Sequence, residues 1–588
     1  MEQTEFKLNR KALFGAMVLA AAGAMPAYAA SITVDPTAVD EGTVVGTRDG
    51  KCSLREAVLS VNAGANVGDC VATEAYGTND TITMPDGTYT LTLQGVDETA
   101  ALITEPASPS TAVIVPNANI GDLDISKSVR IIGAGAATLT PTIIQWDTAI
   151  AVANRDRIFH VNAETGTVDV LIQGVVLKQG YTNQVELGAG PPSAVPGGSL
   201  PTTYYLRRAG GALAAGPAAA VVLVDPNSTG SINSEGQGGS NRPEDEGETG
   251  ATMSIALSDV IVDGNHADGD GGGIYTAAAM TATSIVVRNN DSVVNGGGVY
   301  NEGNSSITNS TISGNIAEGG GGVFLTGSNT VTITGSTLSG NRAVGGGAVS
   351  GRSGVTINMV NSTLSGNLGA DVGAGFYTNG VASLRFVTIA NNVAGADSEA
   401  AGAGINTFKS GSSLTTIKNV LLAGNKKGWV SVDYRTDPFP DTAALTNSNC
   451  GTTGTGIPDV TSNGYNLSSD TTCQAVMTQG TDINNQDPLI GVLADNNAGT
   501  TGTTLTHALA SNSPALSKGG AEGDVTTDQR GEPRESPPDI GAFELDNIAE
   551  GGGGGGCAIG TDGRFDPTLP AMLAAALAFF GWRRRSAR

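Results

Sequence analysis

The residues best placed to do chemistry lie in the stretch "VDGNHADGDGGGIY": Asp263, Asp268 and Asp270, with His266 among them. Grouped carboxylates suit Ca2+, a hard cation that takes oxygen ligands. Two carboxylates roughly 5–10 Å apart on one face would suit glycoside hydrolysis, and lyase action would add a base. The competing reading is a set of solvated turn residues. Only three histidines occur, His160, His266 and His507, which disfavours histidine-based chemistry. His507, in "LTHAL", reads as a hydrogen-bonded structural histidine rather than a base. Near the far end, Asp528, Arg530, Arg534, Asp539 and Glu544 read as an ion-pair network tying the last coils, with a ligand site as the alternative. No catalytic residue is nominated, and Ca2+ at Asp263, Asp268 and Asp270 is the one cofactor candidate.

Composition narrows the partners. The 588 residues carry a net charge of −25, with 84 glycines and 4% aromatics. Phosphate binding needs Lys and Arg, so nucleic acid is excluded as a partner. The glycines follow no triplet rule, which excludes collagen. Hydrophobic residues make up 39% of the chain, enough for a core without bulky rings.

Export is expected. Lys7, Arg10 and Lys11 precede the apolar run "ALFGAMVLAAAGAM", and "AYA" offers a cleavage site after Ala29. In an exported chain, Cys52 with Cys70 and Cys450 with Cys473, 18 and 23 positions apart, read as disulfides closing short loops. No CxxC or nearby His supports a zinc site.

The elements that must position these residues announce themselves by period. Asn265, Asn290, Asn315, Asn341, Asn367, Asn392 and Asn425 recur at spacings of 25, 25, 26, 26, 25 and 33. Such a period marks a solenoid. Leucine-rich repeats are excluded, because "VTITGSTLSGN" alternates as a strand and the return "GGGAV" is no helix. The expected fold is therefore all-β: a right-handed single-stranded parallel β-helix with coils about 4.8 Å apart. The recurring Asn is expected at a tight turn that tolerates positive φ, with its amide stacked into a ladder. Glycine triplets at 271–273, 296–298 and 345–347 are expected at a second corner, where backbones approach closely. The sequons at Asn309 and Asn361 read as by-products of the repeat. Carboxylates at one register would signal chemistry, but the position after the Asn reads His266, Asp291, Ile316, Arg342 and Leu368, without a consistent column.

The parts follow in order: a signal peptide (1–29), an N-terminal cap with the first coils (30–124), and β-helix repeats (125–430) with insertions near 182–207 and 225–250. A C-terminal region (431–548) and a Gly linker with Cys557 and a membrane sorting tail (549–588) complete the chain. The polar insertion at 225–250 reads as a mobile loop. In "CSLREAVLSVN", Ser53 and Glu56 have capping-box spacing, so a short amphipathic helix should cap the first coil beside Cys52–Cys70.

"CSLREA" resembles the signature of the CSLREA-domain exported bacterial proteins. "NSNCGTTG", "SNGYNLSSDTTC", "DPLIGVLADN", "THALASNSPAL", "TDQRGEPR" and "DIGAFE" resemble the choice-of-anchor Q domain, and the repeats resemble those of polymorphic outer-membrane proteins. The resemblance runs from about Ser31 to Glu544. It implies an exported pectin-lyase-like β-helix and carries over no catalytic residue. "DGDGGG" resembles calcium-binding nonapeptides only in part, because a full tandem is absent. The tail, "CAIGTDGRFDPTLP" followed by an apolar run from Leu569 to Trp582 and then Arg583–Arg585, resembles JDVT-type sorting tails. That resemblance implies processing around Cys557, Asp566, Pro567 and Thr568 by a membrane sorting protease, after transient retention in the inner membrane of a Gram-negative type bacterium.

Three functions follow. The leading one is a structural or adhesive protein at the cell surface or outer membrane, meeting surface glycans or other surface proteins. The second is a polysaccharide lyase or glycoside hydrolase, and the third a calcium-dependent glycan-binding module. Fold alone chooses none of them.

Overall fold

The structure, a computed structural model, describes residues 29–40, 49–94, 99–102, 112–115, 120–163, 166–182, 185–188, 204–208, 210–215, 219–223, 252–395, 402–408, 414–431, 433–453, 459–497 and 504–545. All of them belong to one unit within Met1–Leu545.

A single coil shows how the sequence folds. Ala279–Thr283 forms a first strand, Val286–Arg288 a second, Asp291–Ser292 a short side strand and Val299–Asn301 a third. Each pairs in parallel with its counterpart one coil on, for example Met280 with Ser305, Val286 with Thr311 and Val299 with Val323. Repetition builds a first face of twelve strands, a second of eleven and a third of ten, with a short fourth side between the second and third. The chain is a right-handed parallel β-helix, as its period requires. The coils continue on both sides of residues 125–430: Asp80–Met84 and Gly87–Leu91 precede them, and Val460–Ser462 and Leu467–Ser468 follow.

Alternation sets the core. On the first face Ile255, Leu257, Val331, Ile333, Ile357 and Met359 point inward and are buried, while their strand neighbours face out. The second face adds Val287, Ile312, Leu338 and Leu364, and the third adds Val299, Val323 and Val349. Side chains of period two stack at the coil spacing, so one continuous apolar column fills the interior.

The asparagine ladder forms, with one change in its turn. The residue before each of the seven asparagines from Asn265 to Asn425 takes the left-handed conformation, for example Gly264 at φ 68°, Asn289 at 55° and Gly314 at 65°. The ladder asparagine itself is buried. Asn290 Nδ2 donates to Asn315 Oδ1 at 3.0 Å and to the Val262 carbonyl at 3.0 Å. The pattern runs from Asn265 to Asn425 and on to an eighth rung, Asn449, which accepts from Asn425 Nδ2 at 2.8 Å. A second ladder joins Ser310, Ser336 and Ser362, each hydroxyl accepting the backbone N–H one coil back. It explains "N-S-T": Asn309 and Asn361 supply positive φ, and the serine after each supplies the rung.

At the glycine corner the backbones do approach closely: a Cβ on Gly297 would lie 2.5 Å from the Ile316 carbonyl oxygen of the next coil. The triplet at 345–347 is offset by one residue from the others. Gly345 bridges Gly319, and Gly321 N–H donates to Gly346 O, so Gly346, Gly347 and Ala348 align with Gly320–Gly322.

The N-terminal helix spans Leu54–Ala63, with both halves of the Ser53–Glu56 capping box formed and Gly64 closing it in the left-handed conformation. Cys52–Cys70 and Cys450–Cys473 are both bonded. In the 182–207 insertion, Val185–Gly188 pairs antiparallel with Tyr204–Arg208, which also pairs with Ala219–Leu223. The 225–250 insertion lies outside the described residues.

The C-terminal segment does more than tie the last coils. From Leu505 to Leu545 it runs back along the outer surface of the second face as a strap. Thr337 Oγ1 donates to Leu505 O at 2.7 Å, Thr363 Oγ1 donates to Gln529 Oε1 at 2.6 Å, and Ala542 N–H donates to Thr388 Oγ1 at 2.9 Å. Leu509, Ala515, Ile540 and Phe543 close an apolar patch on Ala390, Leu421 and Ala423.

Candidate functional site

The chemistry-bearing residues of the fourth side stand in one column. Register stacks Tyr181 on His266 on Asp291. The Tyr181 and His266 rings stack at 4.4 Å with 21° between planes. His266 Nδ1 lies 2.9 Å from Asp291 Oδ2, and Nε2 lies 3.1 Å from Asp268 Oδ1. A loop at Asp433–Asp437 then crosses this side. Its Arg435 bonds Asp291 through Nη1 and the Ser292 carbonyl through Nη2 at 2.8 Å, while Arg342 bonds the carbonyls of Tyr434 and Asp437.

Electrostatics decide what this column can do. Burial alone would lower the His266 pKa, but the hydrogen bonds and charges of Asp268 and Asp291 outweigh it and raise it to about 9. Asp291 is also half-buried, yet His266 and Arg435 hold its carboxyl below the usual range. Burial, with Asp268 and Asp291 nearby, raises Tyr181. At neutral pH the imidazolium therefore has both nitrogens occupied and no lone pair to act as a base. The pH dependence follows. The folded pKa lies above the unfolded value, so the stabilisation is complete below about 6.5 and is lost as pH rises through about 9. The denaturation midpoint should fall over that window by the equivalent of about 2 kcal/mol relative to a His266→Gln variant. Parallel pH profiles of the two proteins would show that the column is not an ion cluster.

The sequence-nominated carboxylates take separate partners. Asp268 holds His266. Asp263 points from the second face and forms a charge column with Lys178 at 3.9 Å and Arg288 at 3.0 Å. Asp270 accepts from the backbone and side-chain nitrogens of Asn295 at 3.1 and 3.0 Å. The three do not converge on a point where one cation could bind all of them.

Among the described residues, one group offers three converging metal-ligand atoms: Asp122, Asp124 and His160, within 4.8 Å of one another and all buried. Asp124 lies on the strand Leu123–Ile125 and pairs in register with His160, and Asp122, immediately before that strand, brings its carboxylate to the same place. Arg157 Nε lies 2.6 Å from Asp122, and His160 Nδ1 lies 3.2 Å from Asp124. These three residues could hold a cation chemically, but a guanidinium already neutralises Asp122. The sequence reading passed over them. The alternation in "GDLDI" was a usable signal for the carboxylates, whereas nothing periodic linked them to His160.

The block Cys52–Ala57 is architectural at every position. Cys52 is bridged, Ser53 caps, Leu54 and Ala57 are buried, and Glu56 completes the capping box and accepts from Asp69 N–H. Arg55 is fully buried, bonding Asp40 at 2.8 Å and the carbonyls of Asp122 and Gly121. The charges of the strap are used in the same way. Arg530 pairs with Asp528 at 2.8 Å, Arg534 pairs with Glu544 at 3.0 Å, and Asp539 accepts from the backbone at Ser517 and Leu545. His507 is buried between the Gly491 carbonyl and Ser365 Oγ, and burial lowers its pKa.

No protein-family model matches the sequence, and no curated protein matches it. Among solved structures, the chain is similar to the pectate lyase Pel9A, at 12% identity and a TM-score of 0.39 over 79% of this chain and 88% of that one. It is also similar to the A-module of the Azotobacter vinelandii mannuronan C-5 epimerase AlgE6, at 12% identity and a TM-score of 0.22 over 72% of this chain and 99% of that one. Neither likeness carries a residue of either enzyme across to this chain.

Proposed function

We propose that the chain is an exported cell-surface β-helix with a structural or adhesive role, related to CSLREA-domain proteins that end in a choice-of-anchor Q domain. The observation that carries this reading is the state of its best chemical cluster. His266 is clamped between Asp268 and Asp291 and held protonated, and Arg435 closes over it. A rod built this way needs no turnover. Two disulfides support an oxidising compartment. The strand at Ser31–Thr33 starts just past the proposed cleavage after Ala29.

The purified full-length protein should release no reducing ends or unsaturated products from a panel of pectate, alginate and neutral polysaccharides, with or without Ca2+. Turnover of any panel member would establish the polysaccharide lyase or hydrolase reading instead. Calcium-dependent binding without turnover would establish the glycan-binding module.

The tail is the membrane partner in this proposal. No helix among the described residues is long and apolar enough to cross a membrane, and Cys557, Asp566, Pro567, Thr568 and the run from Leu569 to Trp582 lie outside them. A sorting protease should remove the apolar tail, so the intact mass of surface-located protein should lack Arg588. The Cys557→Ala variant should retain the tail and stay in the inner membrane. A wild-type surface mass that includes Arg588 would make the tail a plain anchor.

A further inference from the structure

The mature N-terminus expected from the sequence falls on a buried carboxylate. Cleavage after Ala29 makes Ala30 the first residue, and the backbone nitrogen of Ala30 donates to Asp80 Oδ1 at 2.9 Å. Both residues are only 1% exposed. Register explains the contact. Ser31–Thr33 is the edge strand of the first face and pairs in parallel with Asp80–Met84, with Ser31 opposite Thr81, so Ala30 and Asp80 lie side by side. Thr81 N–H donates back to the Ala30 carbonyl at 2.8 Å. Ala30, Ile32 and Val34 turn to the core, as do Asp80, Ile82 and Met84, so the Asp80 carboxylate stands on the apolar side of the sheet.

This carboxylate is incompletely served. Its Oδ1 accepts from the Ala30 and Gly77 N–H groups, both at 2.9 Å. Its Oδ2 is buried and has no hydrogen-bond partner among the described residues. None of the Lys or Arg ion pairs among the described residues involves Asp80. A buried charge is costly unless an opposite charge and hydrogen bonds compensate it. As a peptide amide, the Ala30 nitrogen brings one N–H and no charge. As a free α-ammonium, the same atom brings three N–H groups and a positive charge.

Resting on the export proposed above, we propose that removal of the leader completes this site: the new α-ammonium of Ala30 forms a buried ion pair with Asp80 and fastens the edge strand of the first face. The step is a hydrolysis by water and a leader protease. The Ala29–Ala30 amide breaks, the carboxylate departs on Ala29, and the amine on Ala30 takes up a proton, since an α-amine has an ordinary pKa of about 7.7–8.0. The ammonium keeps the bond to Oδ1 and has N–H groups left for Oδ2. The position is exacting. Cleavage one residue earlier leaves an amide at Ala30, and cleavage one residue later removes Ala30. The consequence is timing: the strand that covers the N-terminal edge of the first face is fastened only after the chain has crossed the membrane.

The test uses protein isolated from the exporting cell as wild type, with one alanine inserted between Ala29 and Ala30, as Asp80→Asn, and with both changes together. N-terminal sequencing should find Ala30 first in the wild type and second in the insertion. Near neutral pH, an amine-reactive reagent should modify the wild-type α-amine at least tenfold more slowly in buffer than in urea, whereas the α-amine of the insertion should react freely. The insertion, which returns Ala30 to an amide, should lower the urea midpoint without any change to Asp80. Asp80→Asn should lower that midpoint in the wild-type background and at most half as far in the insertion background, where no ammonium reaches the carboxylate. A wild-type α-amine as reactive in buffer as in urea, an insertion with the wild-type midpoint, or an Asp80→Asn shift equal in both backgrounds would overturn the ion pair and leave export standing. An exported chain that starts at any residue other than Ala30 would do the same. A chain retained inside the cell with residues 1–29 attached would overturn export and the ion pair together.

Discussion

Replacing Asn341 with alanine should lower the stability of the β-helix by about 4 kcal/mol, read as a shift of the urea midpoint and as lost amide protection at Asn315, whose N–H donates to Asn341 Oδ1. The side chain makes four buried bonds. Its Nδ2 donates to Ile312 O at 2.9 Å and to Asn367 Oδ1 at 3.0 Å. Its Oδ1 accepts from Asn315 N at 3.1 Å and from Asn315 Nδ2 at 3.0 Å. Alanine leaves the Asn315 backbone N–H, one Asn315 Nδ2 hydrogen and the Ile312 carbonyl without these partners, and it removes one of the two donors to Asn367 Oδ1, in a place that water does not reach. Each such group costs roughly 1–3 kcal/mol. Asn341→Asp should be at least as damaging at pH 7 although it is nearly isosteric, because a second carboxylate oxygen would face Asn367 Oδ1 and the Ile312 carbonyl. Burial would raise the pKa of that new carboxyl, so its deficit should shrink as pH falls and the group protonates into a donor. By contrast, the outward Thr332→Ala should stay within about 0.5 kcal/mol. An Asn341→Ala protein as stable as the wild type would mean that the ladder is decoration on a structure held by its apolar column alone.

Replacing Arg534 with methionine should cost about 3–5 kcal/mol and release the strap from the second face. Arg534 and Glu544 are almost wholly buried, with side-chain exposures of 3% and 1%. The guanidinium also bonds Asn361 Oδ1 and Gly541 O at 2.9 Å, and lies 3.9 Å above the Phe386 ring. Burial already lowers the Arg534 pKa and raises that of Glu544, so each charge depends on the other for compensation. Methionine keeps the volume but strands a buried carboxylate. Limited proteolysis should then cut between residues 505 and 545 while the β signal of the coils persists. Arg534→Lys should not rescue, because an ammonium cannot serve Glu544, Asn361 and Gly541 as a planar fork does. Replacing Glu544 together with Arg534 by apolar residues should recover part of the loss. Equal protease resistance in the single variant and the wild type would show that the apolar patch around Phe543 holds the strap without the ion pair.

What the sequence determined by itself is everything that repeats or is local. A period near 25 with alternating Val, Ile and Thr specifies a parallel coil, because every strand must pair with its own copy one turn on. The asparagine column is legible for the same reason: a residue at a constant register meets its own kind. The capping box at Ser53–Glu56 and the two disulfides involve partners close in the chain, so spacing alone identifies them. Only the tertiary structure decided the rest. The eighth rung at Asn449 and the one-residue offset at Gly345 appear where the spacing drifts and hydrogen bonding corrects the register. The neighbours of His266 along its column were readable, but Arg435, 144 positions beyond Asp291, was not. The strap is the clearest case: Gln529 meets Thr337 across 192 positions. Contacts between a repeat and a non-repeating segment have no period and no local spacing. They are chosen by shape and hydrogen-bond satisfaction on a surface that does not exist until the coils have stacked.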